Sequence, residues 1–492
     1  MSQQQIPDHV QSFLDREHGM LVGGEWLQPG GGRIGVLDPA TGREIASLAN
    51  ATPGDVDAAV AAARAGFGSE AWRSTSPRER AAILRRAAAL VEARADELAY
   101  LETLDNGKPL TIARSVDVPA GAGALYYFAG WADKITGKTH DISMPGEHHA
   151  FTLREPIGVA ALIVPWNYPL VMAAMKLGPA LAAGCACILK PAEDTSLSAI
   201  RLCELFLEAG LPAGLLNLVT GYGREAGAAL AAHPAVDKVA FTGSTATGKA
   251  IVRAAAGNLK KVTLELGGKS PSIILADADL DKAIPAAAMS VFFNSGQTCT
   301  AATRLYVQDA VYDAVMDGIT ALAGELKVAP GVDPDAVLGP LVSQRQLERV
   351  SAYVDRGRAE GGDVLCGGER IGREGYFFPP TVIANTRNDM TVVREEIFGP
   401  VIAAQRFTSV DEVIALANDS EYGLSSSVWT QNISDGHRIA RALVTGQVGI
   451  NTAAVADWDL PVGGYRQSGW GRENGFDAVA NYLETKSIAV GL

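Results

Sequence analysis

Cys299 is the residue whose setting in this sequence most directly suggests chemistry. It lies in the stretch FFNSGQTCT, residues 292 to 300, where Gly296, Gln297 and two threonines surround it after a charge-free, Ala-rich segment. Cysteine is normally among the most buried side chains, so a thiol in a polar turn is unusually open to water or a ligand. A free thiol has a pKa of about 8.5, so a reactive one needs a base or a positive local potential. We therefore predict a nucleophile at Cys299 and look for its partner.

A carboxylate is the best candidate for that partner. Glu265 lies in VTLELGGKSP, an apolar strand that ends at two glycines, and burial there would raise its pKa toward neutrality and make it a usable general base. The alternative is a structural ion pair with Lys261 or Lys269. The seven histidines lie in segments that do not resemble a catalytic loop, so a Cys-His hydrolase has little support.

A glycine-rich turn supplies a candidate anion site. The stretch GSTATGKA, residues 243 to 250, nearly matches a P-loop, but Ala250 stands where Mg²⁺ needs a hydroxyl, which argues against a triphosphate hydrolase. The turn still connects a strand, KVAFT, to a helix whose first amides are free to bind an anion. A plain strand-to-helix turn is the alternative. The second glycine loop, GYGREAG at 221 to 227, is a weaker signal of the same kind.

The elements that carry these residues alternate between short apolar runs and Ala-rich helical ones. The alternation from about 156 to 266 predicts an α/β, Rossmann-like doubly wound domain with a nucleotide site at the carboxyl ends of its strands. A second alternating series runs from about 270 to 455 and predicts a second α/β domain. Residues 55 to 67 and 77 to 104 have helical spacing and form a helical opening section.

Composition narrows the class of protein. The chain has 492 residues, 48% of them hydrophobic, and a net charge of −13, which favours two or three domains and argues against nucleic acid or anionic lipid as a partner. The five cysteines form neither a disulfide framework nor a CxxC metal pattern, so we expect a cytoplasmic protein without a metal. The apolar run 156 to 175 is interrupted by Pro165 and Pro169, which argues against a membrane span.

Seven stretches, in chain order, carry a family resemblance: VPWNYPL, LKPAEDTS, FTGSTATGK, LELGGKSP, FFNSGQTC, EEIFGPV and LPVGGYRQSGWGRENG. On these stretches the sequence resembles the aldehyde dehydrogenase superfamily from about residue 20 to the C-terminus. The resemblance implies an NAD-dependent enzyme that oxidises an aldehyde to the carboxylic acid. Glu265 further implies the branch that hydrolyses the acyl group rather than passing it to coenzyme A.

The resemblance also assigns catalytic roles. Cys299 would form a thiohemiacetal whose oxyanion is held by the Asn167 side chain and the Cys299 backbone N–H, and Glu265 would activate the water that hydrolyses the later thioester. Lys176 and Glu473 match a proton-relay pair of some members, with a structural ion pair as the alternative.

The implied NAD site draws mainly on the first α/β series, with Glu396 and Phe398 from the second. Glu193 and Lys190 match the pair at the adenosine ribose, and a carboxylate there accepts hydrogen bonds from a 2′-hydroxyl but repels a 2′-phosphate, so NAD is expected over NADP. The full set of expected cofactor residues is Ile163, Val164, Pro165, Trp166, Lys190, Ala192, Glu193, Gly223, Gly227, Phe241, Gly243, Ser244, Thr247, Leu266, Glu396 and Phe398.

The residues at substrate-tunnel positions are mostly apolar, which implies a hydrophobic aldehyde, aryl or of medium chain length. They are Tyr168, Met172, Met175, Phe293, Thr298, Thr300, Ala454, Ala456, Trp458 and Val462. The opening segment VQSFLDREHGMLVGGEW resembles the phenylacetaldehyde dehydrogenase branch. An amino or betaine-type aldehyde is the alternative substrate, although Met175 stands where betaine-aldehyde enzymes carry a Trp. Two alternative functions from other classes are a thiol esterase and a non-catalytic binding protein on the same fold.

The resemblance also divides the chain. Residues 1–135 and 155–266 are expected to form the NAD-binding domain and residues 267–460 the catalytic domain. Residues 136–154 and 480–492 are expected to form a small β oligomerisation element, in which the strand TKSIAVGL pairs with a neighbour's sheet to give a homodimer or homotetramer.

Overall fold

The computed structural model describes residues 6–453 and 457–492. The strands are β1 Glu17–His18, β2 Met20–Val22, β3 Glu25–Leu27, β4 Arg33–Asp38, β5 Arg43–Ala49, β6 Thr139–His140, β7 His148–Pro156, β8 Val159–Ile163, β9 Ala186–Lys190, β10 Leu216–Leu218, β11 Lys238–Thr242, β12 Lys261–Glu265, β13 Pro271–Ile274, β14 Arg304–Gln308, β15 Asp363–Cys366, β16 Thr381–Ala384, β17 Val401–Phe407, β18 Ser427–Trp429, β19 Gly449–Ile450, β20 Gly469–Trp470 and β21 Leu483–Gly491.

The helices alternate with these strands through most of the chain. They are α1 Asp8–Leu14, α2 Pro53–Gly68, α3 Glu70–Arg73, α4 Pro77–Ala93, α5 Ala95–Asn106, α6 Leu110–Ile112, α7 Val118–Ala129, α8 Pro169–Ala183, α9 Leu197–Glu208, α10 Ala228–Ala232, α11 Thr245–Ala255, α12 Leu280–Phe292, α13 Tyr312–Glu325, α14 Gln344–Ala359, α15 Thr391–Arg394, α16 Val410–Asn418, α17 Ile433–Ala442 and α18 Gly475–Ala480.

The first large sheet has eight strands in the order β20-β12-β11-β8-β9-β10-β2-β3. Its five central strands, from β12 to β10, are parallel, and the three outer strands are antiparallel to their neighbours. The central strands β8, β9 and β11 are buried along their whole length, as expected for a sheet covered on both faces. The doubly wound α/β arrangement predicted from the apolar runs is confirmed.

The second large sheet has seven strands in the order β15-β16-β17-β14-β13-β18-β19. All its pairs are parallel except β15 with β16. Its strands fall between residues 271 and 450, the region of the second alternating series. The predicted second α/β unit is therefore present.

A three-stranded antiparallel sheet, β21-β7-β6, lies apart from these two. Strand β21 pairs with β7 over nine residues, from Leu483 opposite Pro156 to Gly491 opposite His148. The opposite side of β21 has no partner strand within the described residues. A fourth sheet, β1-β5-β4, has no counterpart among the sequence-based predictions.

The apolar run 156 to 175 forms strand β8 and the first half of α8, with a loop between them. Helix α8 is buried on all sides except at Met172, because it lies between the eight-stranded sheet and α7. Among the described residues, no helix combines the length and the apolarity that a membrane crossing requires. The predicted helical stretch 77 to 104 is two helices, since the backbone turns at Arg94 with φ −108° and ψ 25°.

Candidate active site

The turn before Cys299 has an unusual backbone. Asn294, Ser295 and Gly296 all have positive φ, at 52°, 53° and 73°. A side chain at Gly296 would begin 2.0 Å from the carbonyl of Gly399, so only glycine fits this close approach. Three consecutive left-handed residues are costly, and such strain persists only where surrounding contacts fix it.

Gln297 supplies two of those contacts. Its buried side-chain amide donates to the carbonyl of Asn294 at 3.2 Å, and its carbonyl oxygen accepts from the backbone N–H of Val342 at 2.9 Å. The turn is thereby tied to a segment 45 residues away in the chain. Cys299 follows this turn as a free, partly exposed cysteine.

The Cys299 thiol is neutral at rest. Burial raises its pKa to about 12, and the carboxylates of Glu396 and Glu265 act in the same direction. The Cys299 carbonyl lies 2.4 Å from the point where a side chain at Gly268 would begin, so the segment after β12 packs directly on the cysteine turn. A proton must therefore leave before the sulfur can attack as a thiolate.

Asn167, from the loop between β8 and α8, lies beside the same turn. Its side-chain amide donates one hydrogen to the carbonyl of Gln297 at 2.8 Å, which leaves a second hydrogen for another acceptor. It is 5% exposed, so that donor works in a poorly hydrated setting. The next residue, Tyr168, shares a hydrogen bond of 2.7 Å with the hydroxyl of Thr298. The predicted oxyanion donor and the predicted nucleophile are thus on contacting segments.

Glu265 is the last residue of β12 and is 9% exposed. Burial, followed by the charge of Glu473, raises its pKa well above the ordinary value, while Lys176 opposes the shift. Within the described part of the chain its carboxyl group forms no ion pair and no hydrogen bond. Neither alternative partner contacts it among the described residues: Lys261 pairs with Glu484 at 2.8 Å, and the buried Lys269 ammonium has no hydrogen-bond partner. The alternative interpretation, an ion pair of Glu265 with Lys261 or Lys269, is therefore not supported by the described contacts.

Lys176 and Glu473 form a close ion pair, with the lysine 1% exposed. Glu473 is fixed by two backbone hydrogen bonds of 2.7 Å with Val462. Both charges act on Glu265, in opposite directions. The pair therefore influences the candidate base electrostatically, whether or not it also relays protons.

The expected cofactor residues gather at the carboxyl edge of the eight-stranded sheet. Val164 donates its backbone N–H to the carbonyl of Lys190 at 3.0 Å, which joins the ends of β8 and β9. Ser244 caps α11 by accepting from the backbone N–H of Thr247 at 3.2 Å. The remaining members of the set at this edge are Ile163, Pro165 and Trp166 after β8, Ala192 after β9, Phe241 and Gly243 on β11 and its turn, and Leu266 after β12.

Two glycines make an open cradle beside Lys190 and Glu193. A side chain at Gly223 would meet only the Glu193 carboxylate, at 3.9 Å, and one at Gly227 would touch the Lys190 side chain at 3.4 Å. The Lys190 ammonium lies 3.7 Å from the Glu193 carboxylate. A cradle with one cationic donor and one anionic acceptor fits the hydroxyl groups of a ribose, so these residues suit a dinucleotide.

Glu396 and Phe398 contact the segments that follow β12 and β8. The Glu396 carboxylate accepts from the backbone N–H of Gly268 at 2.9 Å. The Phe398 ring meets the Trp166 ring edge to face, with 5.2 Å between centroids. Both residues therefore lie between the sheet edge and the Cys299 turn.

The described contacts tie only some of the expected substrate residues to the same turn. Phe293, Thr298 and Thr300 belong to the Cys299 segment itself, and Val462 pairs with Glu473. Met175 is buried, whereas Tyr168, Met172 and Trp458 are partly buried against the core of the eight-stranded domain. The Trp458 indole nitrogen lies 2.9 Å from the point where a side chain at Gly123 would begin, so Trp458 packs against α7. Ala454 and Ala456 lie outside the described residues.

Two features of the site had no counterpart in the sequence-based predictions. Gln297 anchors the cysteine turn, and Lys108 donates to the carbonyl of Asn167 at 3.3 Å from a fully buried position. The stretch DNGKP around Lys108 is typical of a solvated turn, so only the burial of the flanking helix reveals it. No group of histidine, cysteine or acidic side chains suited to a metal occurs among residues 6–453 and 457–492.

Comparisons with known proteins show the family of the chain. Residues 26–488 match the model of the aldehyde dehydrogenase family. The chain is 46% identical to phenylacetaldehyde dehydrogenase of Pseudomonas fluorescens over 480 residues, which cover 96% of each chain. It is 45% identical to the mitochondrial benzaldehyde dehydrogenase of Antirrhinum majus over 475 residues, which cover 96% of this chain and 89% of the relative. The solved NAD⁺ complex of an aldehyde dehydrogenase from Bacillus cereus superposes with a TM-score of 0.97 at 46% identity, covering 99% of both chains.

Proposed function

The chain belongs to the aldehyde dehydrogenase family, and from that premise we propose that it oxidises a hydrophobic aldehyde to its carboxylic acid with NAD. The observation that carries the proposal is the uncommitted carboxyl group of Glu265 at the end of β12, a strand whose following segment packs on the turn that carries a partly exposed cysteine and contacts an amide donor. NAD, when bound, supplies the acceptor for the aldehyde hydride. Residues of the chain itself add to the aldehyde, stabilise the oxyanion and activate the water for hydrolysis.

Cys299 attacks first. Its sulfur adds to the aldehyde carbon as the thiol proton passes to water, and the carbonyl oxygen becomes the alkoxide of a thiohemiacetal. The free amide hydrogen of Asn167 and the backbone N–H of Cys299 are the donors for that oxyanion. Loss of hydride from the same carbon then leaves a thioester on the sulfur.

Glu265 completes the reaction. In its ionised form it takes a proton from a water molecule as the water oxygen adds to the thioester carbon, and the thiolate of Cys299 leaves with release of the acid. Its raised pKa makes it a stronger base than an ordinary carboxylate at the pH where it ionises. Because it holds no partner among the described residues, it is free to serve this role.

The substrate that we propose is an aryl or medium-chain aldehyde such as phenylacetaldehyde. Apolar and aromatic side chains at the expected tunnel positions support a hydrophobic ligand, and none of them offers a cation for a substrate carboxylate. The names of the two curated relatives, which specify phenylacetaldehyde and benzaldehyde, point to the same chemical class.

We also propose that the half with the eight-stranded sheet binds the cofactor and the half with the seven-stranded sheet carries Cys299. The third sheet is the proposed oligomerisation element. Its strand β21 pairs on one side only, and the sheet exposes Val490 at 43% on β21 and Leu153 at 40% on β7. An edge strand with apolar neighbours is suited to pairing with a second copy of the chain.

A single experiment tests the covalent scheme. Glu265→Gln, mixed with NAD and phenylacetaldehyde, is expected to form about one NADH per subunit in a burst and then to turn over 10²–10⁴-fold more slowly, roughly the usual effect of losing a general base. Intact-protein mass spectrometry would then find one acyl group on Cys299. Steady turnover at the wild-type rate without an acylated form would contradict the proposal, and turnover of esters without NADH formation would favour a thiol esterase.

A further inference from the structure

Four ionisable side chains are buried together beneath the loop that carries Asn167. Glu102 and Asp105 come from α5, Lys108 follows that helix, and Asp117 ends the π-helical turn Ala113–Asp117. Each is at most 2% exposed, and Lys108 is the one cation among them. The group is distinct from the residues assigned to the reaction above.

Lys108 makes contacts in two directions. Its ammonium donates to the Asp117 carboxylate at 2.7 Å and lies 3.7 Å from that of Glu102. On the other side it donates to the backbone carbonyl of Asn167 at 3.3 Å and lies 4.3 Å from the centre of the Tyr168 ring. A desolvated cation over an aromatic face is attracted by as much as about 2 kcal/mol.

The flanking residues hold the same loop from other angles. The side-chain amide of Asn106 donates to the carbonyl of Trp166 at 2.7 Å. Glu102 accepts from the backbone N–H of Leu170 at 2.9 Å, at the start of α8. One short stretch of chain, residues 102 to 108, therefore holds residues 166 to 168 in place. This stretch contributes no atom to the reaction itself.

Stability alone gives a poor account of such a group. Buried ion pairs often contribute less than well-packed apolar side chains of the same volume, because desolvation of the charges is costly. Three carboxylate oxygens here, one each on Glu102, Asp105 and Asp117, also lack a hydrogen-bond partner. What the group does provide is a directed set of bonds to Trp166, Asn167 and Tyr168.

We propose that Lys108 is a positioning residue, which holds the backbone of Asn167 and the ring of Tyr168 so that the Asn167 amide faces the Cys299 turn. This inference rests on the proposed function, in which Asn167 stabilises the oxyanion. A displacement of about 1 Å in such a donor can cost about 10²-fold in rate. Lys108 touches no reacting atom and acts only through the loop.

The test uses two variants, because Lys108→Met alone leaves the Asp117 carboxylate buried without its cation. Lys108→Met/Asp117→Asn removes both charges while keeping similar volumes. For each variant that melts cooperatively, kcat for phenylacetaldehyde is expected to fall about 10–100-fold, with the KM for NAD within about threefold of wild type. The hydrolysis of p-nitrophenyl acetate, which needs the same oxyanion donors but no NAD, is expected to fall by a similar factor.

Two further measurements separate positioning from a general loss of structure. Alkylation of Cys299 by iodoacetamide needs no oxyanion donor, so its rate is expected to stay within about twofold of wild type. Glu97→Gln is the matched control, because it weakens the ion pair of α5 with Arg201, at 2.9 Å, away from the loop. It is expected to lower Tm without lowering kcat.

The outcomes are distinguishable. A folded double variant with wild-type kcat and wild-type esterase activity would overturn the positioning role while leaving the proposed function intact. Equal losses in kcat, esterase activity and alkylation would overturn it as well, because they would indicate a collapsed site. A wild-type protein that forms no NADH with any aldehyde would instead defeat the proposed function itself.

Discussion

Replacing Glu193 by serine is expected to change the cofactor preference, because this carboxylate lies in the cradle formed by Gly223 and Gly227. Two unit charges about 4 Å apart interact by about 4 kcal/mol at an effective dielectric constant of 20. The Glu193 side chain is 29% exposed, and solvent screening reduces that figure to roughly 2 kcal/mol. Relief of this repulsion corresponds to a gain of about 30-fold in kcat/KM for NADP.

The loss for NAD is a separate term. A hydrogen bond to a charged group contributes about 1.5–3 kcal/mol, so kcat/KM for NAD is expected to fall at least about tenfold when Glu193 no longer accepts from the ribose. Lys190 remains in place, and its buried ammonium uses one hydrogen on the Pro191 carbonyl at 2.8 Å, which leaves others for a phosphate. The ratio of NADP to NAD use should therefore rise by roughly 400- to 5,000-fold.

The assay is the initial rate of NADH or NADPH formation with one aldehyde, over a range of each cofactor. Asp194→Asn is the matched control, since this neighbouring carboxylate faces Arg345 at 3.9 Å and is expected to leave the ratio unchanged. An unchanged ratio in Glu193→Ser would refute the electrostatic reasoning. A change of equal size in Asp194→Asn would show that general negative potential, and not the cradle carboxylate, sets the preference.

Three other substitutions probe the base and the turn. Because Glu265 acts only when ionised, kcat should rise with pH through its raised pKa. Lys176→Met removes a positive charge that lowers the pKa of Glu265, so it should move this rise to higher pH. Glu473→Gln removes a negative charge that raises the same pKa, so it should move the rise to lower pH. Shifts in the same direction in kcat-against-pH profiles would contradict this. Gly296→Ala, whose new carbon would lie 2.0 Å from the Gly399 carbonyl, should cost about 3 kcal/mol or more of folding free energy in a denaturant melt. Gly372→Ala, at a similar positive φ of 67° with open space around it, is the control and should cost distinctly less.

The α/β architecture could be predicted because its signal is local. Buried parallel strands such as β8 and β9 need continuous apolar runs, and the covering helices need apolar residues at helical spacing. Each element can therefore be recognised from about ten or fifteen consecutive residues. The break at Arg94 left no such signal, since both α4 and α5 keep helical apolar spacing across it. Prediction therefore succeeded for the type of element and failed at a boundary.

The rejected ion pair of Glu265 shows what strand geometry alone could have decided. Lys261 and Glu265 begin and end the same strand, and four residues of strand span about 13 Å, too far for contact. In contrast, the left-handed turn before Cys299 depends on Val342 and Gly399, which are distant in sequence. No local pattern in FFNSGQTCT specifies that backbone.

Lys108 was missed for a related reason. Helix α5 carries acidic residues along much of its length, a pattern typical of a solvated face, yet Glu97 to Asn106 are all buried. Their carboxylates are accommodated because the first backbone N–H groups of α8 and α9 point at them, as in the 3.0 Å bond from Leu197 to Asp105. Such compensation between distant elements is visible only once the helices are packed.

The central claim is that oxidation proceeds through a covalent bond to Cys299. The most direct test compares NADH formation from phenylacetaldehyde by the wild-type protein, by Cys299→Ala and by Cys366→Ala, which removes the other partly exposed cysteine. We predict that Cys299→Ala forms no NADH above background, while Cys366→Ala keeps the wild-type rate. Full NADH turnover by Cys299→Ala would contradict the account.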